Sequence, residues 1–229
     1  STECAGVVCV PRERRSAADS VGRPIDGMEV RVEHGELCIR GPGLALGVAD
    51  DSGWLRTGDA AALDAAGNVR IIDRRADLLA VAGVQFSPRE LENRLRFSQY
   101  IREAIVASDG RHSVVCVVNV DYDSLRDWAD RKQYAFSGYR ELVALAPVAG
   151  LVGEHIAEVN RALAASPELW RAQIRRFVIL HKEFDADDQE MTRTQKLRRG
   201  HVMAKYASLF AALHRGDAEH RVEAAVRFD

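Results

Sequence analysis

The sequence predicts an α+β fold: the β-rich end of a larger body, then a compact domain with a small sheet flanked by helices. Three observations lead there. The first 75 residues alternate in strand-length pieces broken by glycines from Gly22 to Gly67, a pattern of strands and bends. From Asp77 the apolar spacing lengthens into helical runs interleaved with four strand-like ones. The chain also opens on "STECAGVVCV", apolar at once and without Met, which reads like the middle of a longer protein.

In the first zone, Met28–Glu33, Gly35–Gly41 and Gly67–Asp73 are strand candidates. Val30 and Val32 alternate with Glu29, Arg31 and Glu33, as on a half-buried strand. In the second zone "DLLAV" is a short strand. Ser87, Pro88 and Glu90 then form a capping-box signature at a helix start. "EAIVAS" and "SVVCVVNV" are strands joined by the turn "DGRH". Helical patterns follow over Tyr122–Gln133, Ser137–Leu145 and Val148–Ala165, then the strand "IRRFVIL" and a helix over Lys196–Leu213. The domains read as 1–75, 76–214 and a fraying polar tail, 215–229. The Arg-Gly-Asp triplet within that tail is read as chance.

Bulk properties exclude several classes. With 229 residues, 47% hydrophobic and 29% charged, the composition is that of an ordinary globular chain. A net charge of −2 gives no global field to recruit nucleic acid. The apolar runs are too short for a transmembrane helix. Cys4, Cys9, Cys38 and Cys116 are scattered without metal-ligand spacing and read as buried thiols of a reducing compartment, so the expected location is cytoplasmic.

Four stretches carry the chemistry. These are "STE" at the start, "GWLRTGD" over Gly53–Asp59, "IIDRRADLLAVAGVQFSPRELENRL" over Ile71–Leu95, and "MTRTQKLRR" over Met191–Arg199. Taken alone, Asp59 reads as a turn aspartate, Arg74 as a surface arginine and Lys196 as part of a solvated basic helix start. In this order and spacing the stretches resemble the adenylate-forming superfamily, which activates carboxylates with ATP. "FSQYIREAIVASDGR" and "RRFVILHKEF" look most like its long-chain fatty acyl-CoA synthetase branch. The resemblance covers roughly Ser1 to His214.

The resemblance implies a role for each matched residue. Asp59 accepts from the two ribose hydroxyls of ATP, for which a carboxylate is suited. Arg74 serves the ribose and phosphate region, with Arg75 beside it a surface residue. Thr2 faces the phosphates, and Glu3 helps hold Mg²⁺ in the intact enzyme. Ala76 stands at the hinge about which a mobile C-terminal lid, 76–214, swings. Gly83 borders the pantetheine path of coenzyme A. Lys196 reaches the acyl carboxylate and the α-phosphate during adenylation, and Arg198 and Arg199 begin the helix behind it.

The implied whole is the C-terminal portion of a long-chain fatty acid–CoA ligase. ATP, AMP, Mg²⁺ and coenzyme A are its cofactors and substrates, and fatty acid is the acyl donor. Its partners would be the N-terminal portion of the same enzyme and a peripheral membrane contact made through substrate, with no nucleic acid. The isolated chain is expected to be inactive. Relatives carry Gly-Gly-Lys-Asn where this chain has Ala82-Gly83-Val84-Gln85, so a ligase that loads a carrier protein is the alternative. A non-catalytic fragment or accessory domain is a third reading.

Overall fold

Glycine bends and strand alternation in the first zone produce a six-stranded antiparallel sheet. The structure, a computed structural model, describes residues 4, 7–11, 20–194, 196–216 and 226–228. It divides the chain into two compact units, Ser1–Leu78 and Leu79–Asp229. The strands of the first unit are β1 (Cys9–Val10), β2 (Ser20–Pro24), β3 (Glu29–Glu33), β4 (Glu36–Arg40), β5 (Leu55–Leu63) and β6 (Val69–Arg74), in spatial order β1-β2-β6-β5-β4-β3. Leu37, Ile39, Leu55, Ala61 and Val69 form its core with Met28 and Cys4.

The nine-residue β5 has no clean alternation to reveal it in the sequence, because it contains Gly58 and a run of three alanines. It is read only by its neighbours β4 and β6, with an irregularity in the ladder between Ala60 and Ala61. Before it, the Asp50 carboxylate accepts from the backbone of Ser52 at 2.9 Å and of Trp54 at 3.0 Å. That turn seats Trp54 between the guanidinium groups of Arg31 and Arg40, 4.2 and 4.7 Å from the ring centre.

The second unit begins with a hairpin of β7 (Leu79–Val81) and β8 (Val84–Phe86), followed by α1 (Pro88–Arg96). Its sheet is β12-β11-β10-β9, formed by β9 (Ile101–Ser108), β10 (Val114–Val120), β11 (Ile174–Leu180) and β12 (Val226–Phe228). β10 and β11 are parallel, and the crossover between them holds α2 (Tyr122–Arg131), α3 (Tyr139–Val143) and α4 (Ala146–Ala164). Every residue of β10 is buried because both sheet faces are covered. Val114, Cys116, Val118 and Val120 join the cluster of α1 to α4. Val115 and Val117 join the one beneath α5 (Arg199–Lys205) and α6 (Ala207–Arg215).

Three local expectations change. Ser87 does start α1 with Pro88 behind it, but its side chain makes no cap bond, and Glu90 pairs instead with Arg94 at 2.7 Å. The side-chain cap is on α2, where Asp121 accepts from Ser124 N–H at 3.0 Å. The expected Lys196–Leu213 helix is two helices broken at Tyr206, with Lys196 in the loop ahead of them. The tail does not simply fray: residues 226–228 add an edge strand to β11. The four cysteines are free thiols, and Cys4, Cys38 and Cys116 are buried. No helix among the described residues is long and apolar enough to cross a membrane.

The β9–β10 turn is tied to the end of α6. Asp109 gathers the backbone N–H groups of Arg111, His112 and Ser113 at 2.8–3.0 Å. Against the opposing effect of burial, these bonds hold its carboxyl well below the usual range. Ser113 Oγ meets His214 Nδ1 at 2.7 Å. Burial lowers the His214 pKa from its ordinary 6.5; nearby Arg176 adds to this and Asp109 opposes it. A histidine whose folded pKa is depressed contributes stability that is full above about 6.5 and is lost as pH falls below it. The melting temperature is therefore expected to drop between pH 7 and pH 5, and His214→Gln should flatten that slope in a pH series of thermal melts.

Candidate functional site

The sequence-predicted residues fall into two groups, one in each unit. In the first, Asp59 and Arg74 are cross-strand partners on β5 and β6. Arg74 Nη1 lies 3.0 Å from Asp59 Oδ1 and donates to the Thr57 carbonyl, also at 3.0 Å. Gly58, at φ +72°, lets β5 bulge between Thr57 and Asp59, opposite the register shift at Glu36–Cys38. The Thr57 hydroxyl donates to Leu37 O at 2.9 Å and accepts from Asp59 N–H at 3.1 Å. The aspartate is half-buried and its arginine exposed. The result is a rigid carboxylate beside a directional cation, able to meet vicinal hydroxyls and an anionic oxygen.

Sequence reasoning missed the residue beneath this bulge. Glu36 is buried on β4 and accepts the Gly58 N–H at 3.1 Å. Arg56 Nη2 reaches it at 2.6 Å and Arg75 Nη1 at 2.8 Å. Burial alone would raise its pKa, but Arg56, the Gly58 amide and Arg75 outweigh that and hold it below the ordinary value. Arg75 is therefore not a simple surface arginine; it is the far clamp on this carboxylate. A glutamate opening a strand whose next three residues are all buried was the available signal. Ala76 is exposed in a 3₁₀ turn over Arg75–Asp77, two residues before the first unit ends. Thr2 and Glu3 lie outside the described residues.

In the second unit, Gly83 occupies the two-residue turn of the β7–β8 hairpin, where Val81 pairs with Val84. Ala82 at φ +48° and Gly83 at φ +83° are the positive torsions of a type I′ turn. No heavy atom beyond its chain neighbours lies within 4 Å of where a Gly83 Cβ would stand, so the turn presents open backbone. The hairpin receives a cation from far along the chain: Arg171 Nη1 donates to Ala82 O at 2.6 Å, with its guanidinium 4.6 Å from the Trp170 ring centre.

Lys196 is exposed on a narrow loop closed like a hairpin. Thr192 N–H donates to Lys196 O at 2.8 Å, Lys196 N–H to Thr192 Oγ1 at 3.0 Å, and Met191 bridges Leu197. The basic residues after it differ from expectation. Arg199 pairs with Glu92 and donates to Val106 O at 2.5 Å, so it locks the loop to α1 and β9 instead of being solvated. Arg198 is exposed, as expected. Among the described residues, three carboxylates stand close enough to suggest a cation: Asp185, Asp188 and Glu190. The ammonium groups of Lys182 and Lys205 already bridge them, so this donor set does not fit Mg²⁺.

No protein-family model matches the chain. It is 29% identical over 224 residues to the long-chain fatty-acid–CoA ligase FadD15 of Mycobacterium bovis, covering 93% of this chain and 37% of that protein. Against FadD15 of Mycobacterium tuberculosis the identity is 30% over 206 residues, covering 85% of this chain and 34% of the relative. The adenylation domain of a Segniliparus rugosus carboxylic acid reductase, solved with AMP and a co-purified carboxylic acid, matches with a TM-score of 0.62. That match is 20% identical and covers 86% of this chain and 33% of that one. An anthranilate CoA ligase, AuaEII, solved with anthranoyl-AMP, matches with a TM-score of 0.56 at 20% identity, covering 93% and 39%.

In sequence and fold the chain is similar to the adenylate-forming superfamily of acyl-activating enzymes. Within it, the curated relatives are long-chain fatty-acid–CoA ligases, and the chain spans just over a third of their length.

The Glu36 clamp generates a test in the first unit. Glu36→Ala removes the acceptor of the Gly58 amide and leaves two guanidinium groups without their shared partner. The expected loss is about 1–3 kcal/mol, measured by denaturant unfolding of the chain. Conservative Glu36→Asp should recover part of it.

Proposed function

We propose that this chain is the C-terminal portion of an AMP-forming long-chain fatty acid–CoA ligase, with residues 1–75 ending its large domain and 76–214 forming its mobile lid. The Asp59–Arg74 pair carries the reading: it sets a fixed carboxylate and a guanidinium together where the resemblance places the ribose of ATP. The carboxylate oxygen of a fatty acid attacks the α-phosphorus, forming the acyl-adenylate anhydride as the bond to pyrophosphate breaks. The coenzyme A thiol sulfur then attacks the acyl carbonyl carbon, loses its proton, and AMP leaves.

The roles follow the chemistry of each group. Asp59 accepts from ribose hydroxyls while Arg74 steadies it and faces phosphate oxygen. The Lys196 ammonium can bond the acyl carboxylate and the α-phosphate together, then withdraw with its loop. Thr2 would face the phosphates and Glu3 would be the Mg²⁺ ligand; Mg²⁺ screens phosphate charge when bound. The torsions around exposed Ala76 are the hinge, which demands backbone freedom and no particular side chain. Open backbone at Gly83 borders the pantetheine path.

Arg171 favours coenzyme A over a carrier protein as acceptor. The positive charge that Val84 omits from the hairpin is supplied instead by this guanidinium, held at Ala82 O and backed by an indole. Both arrangements place a cation beside the Gly83 turn, where an anionic thiol substrate would approach.

The primary test is mass spectrometry of products from the intact protein carrying this chain, supplied with ATP, Mg²⁺, palmitate and coenzyme A. Palmitoyl-CoA is the expected product, and Lys196→Ala should slow adenylation on the order of 10²- to 10³-fold. Palmitoyl-adenylate without palmitoyl-CoA would shift the assignment to carrier-protein loading. Neither product would remove the ligase reading, and palmitate-dependent AMP release by the 229-residue chain alone would contradict its being a portion.

Arg171 makes a separate prediction. Arg171→Ala should raise KM for coenzyme A roughly 10-fold, by loss of a charge-assisted contact, while the adenylation rate stays unchanged. Steady-state kinetics with coenzyme A varied, beside pyrophosphate exchange, separates the two.

A further inference from the structure

The loop that bears Lys196 rests on a buried ionic cage. Glu190 is completely buried. Its Oε2 accepts from Lys182 Nζ at 2.9 Å and from Asp185 N–H at 3.3 Å. Its Oε1 accepts from Lys205 Nζ at 2.8 Å and from the Tyr206 hydroxyl at 2.7 Å. Lys182 also pairs with Asp188 and, at 3.3 Å, with Asp185; Lys205 reaches Asp188 at 2.9 Å. Asn119 on β10 fixes the segment supplying Lys182, donating to the Lys182 carbonyl at 2.7 Å and accepting from Phe184 N–H at 3.4 Å.

The same residue is the first rung of the Lys196 loop. Glu190 O accepts from Arg198 N–H at 2.8 Å, and the Met191–Leu197 bridge and the Thr192–Lys196 bonds stack on that rung. Thr192 to Lys196 has no buried side chain among its described residues. A segment with few apolar contacts and exposed backbone bonds opens easily unless its base is fixed. The cage supplies that base, and it also sets where α5 gives way to α6, because Tyr206 turns its hydroxyl to Glu190.

We propose that Glu190 is a positioning residue for Lys196: its doubly salt-bridged carboxylate clamps the base of the loop and so presets the path of the catalytic ammonium. The inference rests on the ligase reading for the role of Lys196, and on geometry alone for the clamp. A buried ion pair adds little net stability compared with a well-packed apolar side chain of similar size, but it fixes direction. Burial opposes the charge on Glu190, yet the Lys205, Lys182 and Tyr206 bonds keep its carboxyl below the ordinary value, so the clamp is ionised at neutral pH.

The test uses Glu190→Gln, which keeps shape and removes charge. In the intact protein, the kcat of palmitate-dependent pyrophosphate exchange should fall on the order of 10- to 100-fold, because small misplacements of a reacting group have effects of that size. KM for ATP, and the rate of thioester formation from supplied palmitoyl-adenylate and coenzyme A, should hold. In the 229-residue chain, amide hydrogen exchange at Lys196 and Arg198 should quicken about tenfold, as expected when a local opening becomes easier, while β10 amides keep their protection. Glu190→Leu, which refills the space without charge, should match Glu190→Gln on both readouts. Unchanged exchange at Lys196 and Arg198, or an equal fall in both half-reactions, would overturn the positioning role. Wild-type protein without palmitate-dependent exchange would sink the ligase reading only, and hydrogen exchange would then decide whether the clamp exists.

Discussion

A carboxylate taken out of water and neutralised by cations from distant parts of the chain is the interaction on which this structure depends. Among the described residues, three such carboxylates stand behind the motifs. Glu36 on β4 holds Arg56 and Arg75, 20 and 39 residues onward. Glu92 on α1 holds Arg199, 107 residues onward, while accepting the Val106 N–H at 2.8 Å. Glu190 gathers Lys182, Lys205 and Tyr206. Glu36 and Glu190 lie directly behind candidate functional segments, the Thr57–Asp59 stretch of β5 and the Lys196 loop, and Glu92 holds the start of α5. A buried charge without its partner is strongly destabilising, so each pairing admits one local arrangement and excludes its neighbours.

These clamps work because the apolar framework around them is stiff. β10 is covered on both faces, its side chains alternating between the α1–α4 cluster and the α5–α6 cluster. A strand in that position transmits register to both sides, and the parallel β10–β11 pairing aims the chain after β11 toward the Lys182–Glu190 segment. The first unit uses a different device, with glycine turns between antiparallel strands and one indole held between two guanidinium groups. In the first unit Asp59 and Arg74 sit on paired strands, while in the second Gly83 and Lys196 stand on short turns.

Much of this was legible from residue order. The apolar run at Val114–Val120 could only be a buried strand, the spacing over residues 148–165 only a long helix, and the order of the four motifs carried the superfamily. Other features were hidden for physical reasons. β5 lacks an alternating pattern because Gly58 and three alanines give it no apolar face of its own. The Ser87–Glu90 signature was present without its bonds, since Glu90 faces Arg94 on the next turn. The basic run after Lys196 looked uniform, yet Arg199 is anchored while Arg198 is exposed, a difference set by Glu92 more than a hundred residues earlier.

The sequence by itself indicated most strands and helices, the two zones, and the candidate polar residues on its motifs, because periodicity and motif spacing are local properties of the chain. It could not determine which charges would be buried. That depends on which cations arrive at Glu36, Glu92 and Glu190 once the chain has folded, and pairing across as many as 107 residues leaves little local trace. Only the tertiary structure decided that Arg75 and Arg199 pair with buried carboxylates, that Arg171 donates to the hairpin beside Gly83, and that the Lys196 loop begins at the buried Glu190.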